Sequence, residues 1–332
     1  MDWTTALPLI FAALMAFSLF VYAILDGYDL GVGLLLPFTS DHDSDTLLAS
    51  IGPFWDANET WLVLGIGLML IAFPEAHGII LGELYLPVTV LLVGLILRGV
   101  AFDFRAKVPT AHKLIWDRLF FIGSLLATTS QGYMLGTYVL GFNESTAAIG
   151  FALLSAVCVA MGYAFIGGAW LIMKTDGDLQ RRCVRWTRIA LRFMMLGIVA
   201  VSIVNPLVSD AMFEKWFTMP QAIMLAPIPI ICAATALGTH YYLGHFKAER
   251  AVGNWLPFAS AVLMFLLCFQ GLAYSFYPEI VPGQLTIWDA AAATESLAFM
   301  AVGVAIVFPA IIGYTLVSYR VFWGKATELT YY

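Results

Sequence analysis

Charge is what this sequence has least of. Only 11% of its 332 residues are Asp, Glu, Lys or Arg, against 61% that are hydrophobic. Soluble domains carry about 25% charged and about 45–50% apolar residues. A chain so poor in charge lacks the polar groups to cover a globular surface, which excludes a cytoplasmic enzyme, a disordered tail and a nucleic-acid binder. Cysteine is scarce as well. Cys158, Cys183, Cys232 and Cys268 show no CxxC or other ligand spacing, so neither a disulfide scaffold nor a metal knot is implied. Histidine is limited to His42, His77, His112, His240 and His245. Only His240 nears the interior of an apolar run, so the facing pair that bis-histidine haem ligation needs is missing. Thirteen methionines in apolar stretches read as packing. There is no phosphate-cradling glycine loop, Ser/His/Asp set or HExxH, and no fixed repeat or low-complexity linker. On its residues alone the chain has no catalytic centre.

What the sequence has instead is long apolar runs. Nine are legible, over roughly 7–28, 51–73, 79–101, 119–140, 147–173, 191–209, 221–243, 256–276 and 290–318. Each is long enough to cross about 30 Å of hydrocarbon as a helix. Strands are excluded, since an open edge would leave backbone groups unpaired in lipid and a barrel would show period-two alternation. The expected architecture is all-α: a polytopic bundle of nine transmembrane helices, with residues 1–332 forming a single integral membrane domain.

The basic residues sort by side. Arg98, Arg105, Lys107, Lys113, Arg118, Lys174, Arg181, Arg182, Arg185, Arg188, Arg192, Lys247, Arg250, Arg320 and Lys325 fall on one side of such a bundle, and Lys215 alone on the other. The positive-inside rule then puts the N-terminus outside and the C-terminus in the cytoplasm. The start Met1-Asp2-Trp3 has no basic leader, so the first run reads as a retained span. Trp3, Trp216, Trp255, Trp288 and Trp323 lie at span ends, where indole favours the interface.

An ionisable group inside a span is expensive and is a functional hypothesis by default. The first span ends in Asp26-Gly27-Tyr28-Asp29-Leu30-Gly31-Val32-Gly33. Asp26 and Asp29 share a helix face, or they end the span in the headgroups. Gly27 and Gly31 form a small-xxx-small step that lets another helix approach. The second span opens Pro53-Phe54-Trp55-Asp56-Ala57-Asn58-Glu59-Thr60-Trp61, with Pro53 suited to a first helical turn. Asp56 and Glu59, with Asn58 between them, either complement the helix dipole or line a wet pocket. The third span closes on Arg98 and Asp103. Arg98 either snorkels to the surface or pairs with one of the acids. Three spans thus bring carboxylates, an amide and an arginine to one depth on the cytoplasmic side. That cluster suits proton uptake, or else a structural ion-pair network. Glu295 is the other internal acid, expected about two turns into the last span.

These motifs have a familiar order. Asp26-Gly-Tyr-Asp-Leu-Gly-Val-Gly33, Trp55-Asp-Ala-Asn-Glu-Thr-Trp61 and Arg98-Gly-Val-Ala-Phe-Asp-Phe-Arg105 resemble subunit II of the cytochrome bd quinol oxidases. So do Tyr277-Pro-Glu-Ile-Val-Pro282, Leu285-Thr-Ile-Trp-Asp289 and the ending Tyr319-Arg-Val-Phe-Trp-Gly-Lys325. The resemblance implies a respiratory complex of the bacterial cytoplasmic (inner) membrane that oxidises quinol, reduces O2 to water and builds a proton-motive force. Its partner would be subunit I, which holds the quinol site, two haems b and one haem d. It leaves room for a bound quinone, a small accessory subunit and membrane lipid, and the short loops resemble the cyanide-insensitive branch. In the family the acid of the Trp-Asp-x-Asn motif sits at a subunit interface and is implicated in proton delivery; here that position is Asp56. The first-span acids map to Asp26 and Asp29. Glu59 stands where some relatives carry an amide. Without the resemblance, a proton-coupled secondary transporter is the alternative. Pro227 and Pro229 interrupt its seventh span, as broken transporter helices do, but the acids gather at one face instead of the midplane.

Overall fold

A computed structural model describes residues 3–208, 210–246 and 253–326, with the backbone alone at 41, 42, 110, 111, 205, 208 and 210–212. Lys247 and Arg250 lie outside the described residues. The described chain is mostly helical. In order it forms α1 (Trp3–Leu35), α2 (Asp41–Ala49), α3 (Trp55–Ala72), α4 (Pro74–Glu83), α5 (Tyr85–Lys107), α6 (Thr110–Val139) and α7 (Thr146–Lys174). Then follow α8 (Gly177–Val208), α9 (Asp210–Phe217), α10 (Gln221–Leu225), α11 (Pro227–Gly244), α12 (Leu256–Phe276), a short hairpin of β1 (Glu279–Val281) and β2 (Leu285–Thr286), and α13 (Thr294–Val321).

Among the described residues, seven segments are long and apolar enough to cross a membrane: Trp3–Phe38, Tyr85–Lys107, Thr146–Lys174, Gly177–Val204, Gln221–Gly244, Leu256–Phe276 and Thr294–Val321. The runs at 51–73 and 119–140 coincide with α3 and α6, helices whose polar residues dilute their hydropathy. Several boundaries differ from the sequence reading, each for a local reason. The third run holds two helices, because the chain turns at Leu84 between α4 and α5. The seventh run breaks at Ala226, where Pro227 opens α11; proline has no N–H to continue the preceding helix. Pro53 lies in the turn before α3, which starts at Trp55. α13 starts at Thr294, so Glu295 sits in its first turn and not two turns inside, where a carboxylate complements the dipole.

Packing divides the chain into two compact units. The first comprises residues 1–26, 52–84 and 276–323. Its centre is aromatic: Trp61 on α3 is edge-on to Phe17 of α1 at 6.0 Å and to Phe308 of α13 at 5.9 Å, and its indole donates to Thr315 Oγ1 at 3.3 Å. Gly65 lets Leu19 settle against α3. The hairpin pairs Glu279 with Thr286 and Val281 with Leu285, turning at Gly283 with φ +71°, a left-handed value that glycine adopts without strain. Beyond it, the Ala292 N–H donates to the Ala72 carbonyl at 2.8 Å, capping the end of α3. The Trp288 indole donates to the Thr5 carbonyl at 3.2 Å.

The second unit comprises, among the described residues, 27–51, 85–208, 210–246, 253–275 and 324–326. Helices α5 to α8 pack in sequence, each against the next. Small residues set their spacing: a Cβ on Gly94 would meet the Gly123 carbonyl at 2.8 Å, and one on Gly132 would meet Ala156 at 2.6 Å. In lipid, where apolar contact alone gives no drive to associate, such close backbone approach is what holds helices together. The latter part of α1 crosses α7 in the same manner, with Gly31 against the Tyr163 backbone and against Gly167. The small-xxx-small step of the sequence is therefore a helix crossing.

Candidate functional site

The candidate site starts on α1. Asp26 and Asp29 are both wholly buried at 0% exposure. The helix runs on to Leu35, so both aspartates lie within it and not at its end. Tyr28 lies between them in sequence and is itself buried. Within the second unit its ring stacks on Trp170 of α7, centroids 4.2 Å apart, with Phe258 of α12 edge-on at 6.0 Å. The Trp170 indole donates to the Ser50 carbonyl at 3.2 Å. This stack fixes the rotation of α1 about its axis and hence the direction in which Asp29 points.

Helix α3 brings the next group. Asp56, Asn58 and Glu59 occupy its first turns but differ in surroundings: Asn58 is wholly buried, Glu59 half-buried and Asp56 exposed. Within the first unit, the Asn58 amide nitrogen donates to the Leu25 carbonyl at 3.3 Å, one residue before Asp26. Its side-chain oxygen accepts from the Tyr319 hydroxyl at 3.1 Å. Tyr319 in turn stacks on buried Phe54 at 4.6 Å. Asn58 thereby joins α1, α3 and α13. Tyr319 was visible in the sequence only as part of a terminal motif, with nothing to pair it with Asn58.

Helix α5 carries the basic member. Arg98 is 1% exposed, so it does not snorkel. The reason is the α5–α6 crossing: Gly123 of α6 packs on the backbone of Arg98 itself. A guanidinium enclosed in this way needs hydrogen-bonding or charged partners to be tolerated. Asp103, five residues on and so about 140° round the helix, is exposed. It does not share the burial of Arg98.

A second polar cluster, absent from the sequence reading, lies at the end of α5. Arg105 is buried and pairs with Asp117 of α6 through Nε, and its Nη1 reaches Asp45 of α2 at 2.6 Å. Lys113 holds the same Asp45 at 2.9 Å. The Asp45 carboxyl is raised by partial burial, but the hydrogen bonds and charges of Lys113 and Arg105 outweigh this and leave it below the usual carboxylate value. Nearby, Arg182 binds Asp43 at 2.5 Å. In the sequence, Lys113 and Arg182 counted only as positive-inside charges, and Arg105 as one of these and as the end of a motif. Their carboxylate partners, Asp43 and Asp45 on α2 and Asp117 on α6, have no motif to mark them.

Among the described residues, the histidines are poorly placed to hold a metal. His240 Nε2 lies 3.2 Å from the Arg188 guanidinium, a cation beside the nitrogen that would ligate. His245 uses Nδ1 on the Tyr241 carbonyl at 2.9 Å. His112 is exposed and His77 half-exposed, and the side chain of His42 lies outside the described residues. Among the described residues, no three His, Cys, Asp or Glu side chains group as a metal site.

Known proteins match the chain along nearly its whole length. A cytochrome bd ubiquinol oxidase subunit 2 from Bacillus subtilis is 27% identical over 324 residues, covering 92% of both chains. A cytochrome bd-I ubiquinol oxidase subunit 2 from Escherichia coli K12 is 26% identical over 350 residues, again covering 92% of each. The fold matches a chain of the bd oxidase of Geobacillus thermodenitrificans with a TM-score of 0.77 at 18% identity, covering 96% of this chain and 99% of that one. The model of the cytochrome bd terminal oxidase subunit II family matches residues 7–322, and the chain belongs to that family.

Proposed function

We propose that this chain supplies protons from the cytoplasm to the oxygen-reducing centre of its complex and supports the assembly of the haem-bearing subunit. Membership of the family makes it a subunit of a quinol oxidase, an integral membrane protein in a haem-containing complex with subunit I as its partner. In the reading proposed here, quinol is the electron donor and O2 the acceptor, and the two haems b and the haem d sit on subunit I. The complex lies in the bacterial cytoplasmic membrane. Nine spans cross it, with the N-terminus outside and the C-terminus inside, the sidedness that fifteen of sixteen basic residues favour. The surroundings of His240 and His245 do not suit haem ligation.

The observation that carries the proton role lies in the first unit, which holds both a wholly buried Asp26 on α1 and an exposed Asp56 on α3. Buried carboxylates inside an apolar helix cost free energy that packing alone does not require. Asn58 is bonded to the α1 backbone next to Asp26, and Asp56, two residues earlier on α3, opens outward. An outward acid that takes up protons and an inner acid that holds them is the simplest use of this arrangement. Glu59 would tune the field about Asp56 within the first unit; within the second, Arg98 would stabilise an ionised Asp29, and Asp103 would tune the field there.

Asp56→Asn in the intact complex tests the reading, since it removes the charge and keeps the volume. Oxygen-reduction turnover should fall by about tenfold to hundredfold, with the haem absorbance and subunit content unchanged. Unaltered turnover and proton uptake would sink the assignment. Loss of subunit I or of the haems would instead make Asp56 a structural interface residue.

A further inference from the structure

We propose that the outward face of α8 binds one anionic phospholipid, with its phosphate held by Arg188 and Arg192 beside His240 and an acyl chain lying along the apolar half of the same face. The first observation is a stripe. Arg181, Arg185, Arg188 and Arg192 recur at steps of four, three and four, which places them on one side of an α-helix. The stripe continues at the same steps through Leu196, Val199, Ile203 and Leu207, all more than half exposed. From Arg192 to Leu207 the helix rises about 22 Å, more than the depth of one leaflet's hydrocarbon, about 15 Å. Cationic for its first half and apolar for its second, the face has the profile of a phospholipid lying beside it.

The second observation concerns the charges. Arg181 is paired with Asp178, and Arg182, off the stripe, with Asp43. Among the described residues no carboxylate reaches Arg185, Arg188 or Arg192. Arg188 turns toward α11, where its Nη2 meets His240 at 3.2 Å, and Arg192 also lies within electrostatic reach of that ring. The Nε of Arg188 is buried without a hydrogen-bond partner among the described residues. Like charges held together at the edge of a membrane span need an anion between them. A phosphodiester supplies the charge and several acceptor oxygens in the geometry that guanidinium favours. A free phosphate would meet the charges but leave the apolar ladder unused, whereas an anionic lipid meets both.

The inference rests on α8 spanning the membrane and not on the proton role, so its test is independent of Asp56→Asn. The detergent-solubilised complex, stripped of lipid, is titrated with dioleoylphosphatidylglycerol, dioleoylphosphatidylcholine or inorganic phosphate. Bound lipid is counted by native mass spectrometry, with haem absorbance as the check on integrity. The wild-type complex should bind phosphatidylglycerol in preference to phosphatidylcholine. Arg188→Gln with Arg192→Gln should weaken phosphatidylglycerol binding about thirtyfold, and Arg192→Gln alone about fivefold, with phosphatidylcholine unaffected. Arg192→Lys should keep most of the binding. Equal affinity in wild type and the double variant overturns the proposal. So does competition by inorganic phosphate at concentrations matching the lipid, which would make the site one for the free ion. Loss of subunit I from the double variant with lipid binding intact also overturns it, since the face would then be a protein interface.

Discussion

Tyr319 donates its hydroxyl to the Asn58 side-chain oxygen across 3.1 Å, a contact between residues 261 apart in the chain. Because the Asn58 nitrogen is engaged at the same time by the Leu25 carbonyl, one amide links three segments of the first unit. Tyr319→Phe removes the donor but keeps the ring on Phe54. A buried acceptor that loses its partner costs about 1–3 kcal/mol. The melting temperature of the complex, followed by haem absorbance, should fall by a few degrees. An unchanged melting temperature would show that the amide contact contributes nothing to stability.

Gly31 offers a second test. Its missing side chain is what allows α1 and α7 to meet, since a Cβ there would run into the Tyr163 carbonyl and stand 3.0 Å from Gly167 Cα. The obstruction is backbone and cannot rotate away. Gly31→Leu should therefore prevent assembly, seen as loss of haem-containing complex from membranes. Gly78 on α4 is the control, because nothing lies within 4 Å of a Cβ built there. Gly78→Ala should assemble normally, with a stability equal to or up to about 1 kcal/mol above wild type, since alanine favours helix. Normal assembly of Gly31→Leu would mean that the α1–α7 crossing is not needed.

These two positions also show what sequence can and cannot reveal. Gly27 and Gly31 were legible as a crossing because a small-xxx-small step is local and periodic. Asp26, Asp29 and Arg98 were legible as candidates because a charge inside an apolar run stands out against its neighbours. Their burial was not legible, since it depends on what packs against α1 and on which residue of α6 packs over Arg98. The partnership of Tyr319 with Asn58, and of Arg105 with Asp117 and Asp45, joins distant segments with no periodic signal. The short helices α2, α4 and α9 fall in stretches where polar and apolar residues mix too evenly to mark a boundary.

The Asp45 network makes a prediction about acid. Lys113 and Arg105 hold the Asp45 carboxyl below its ordinary value, against the opposing effect of burial. A carboxylate depressed in the folded state contributes stability that is present above its unfolded value, about 4, and is lost as pH falls through the folded value. Asp45→Asn lacks that contribution at every pH. The wild type should therefore melt higher than Asp45→Asn at pH 7, and the gap should narrow below about pH 4. Since the Asp45 side chain is half exposed, added salt should narrow the gap at pH 7 as well. A gap constant in both pH and salt would remove the ion pairs as its source.

Arg98 allows a structural role and a proton role for one buried charge to be told apart. The side chain is enclosed where α5 crosses α6, so Arg98→Leu has no route to replace its charge from solvent. Removing one member of a buried polar network leaves the others uncompensated, at a cost of about 3–5 kcal/mol. That is a large part of the stability of an ordinary domain, and the complex should be recovered in much lower yield. Arg98→Lys keeps the charge but not the planar fork of donors. It should assemble, with turnover lowered more than yield if the positive charge stabilises ionised acids during proton uptake. The two variants together discriminate: assembly of Arg98→Leu at wild-type yield would mean that no buried acid depends on Arg98, and wild-type turnover in Arg98→Lys would confine Arg98 to a structural part.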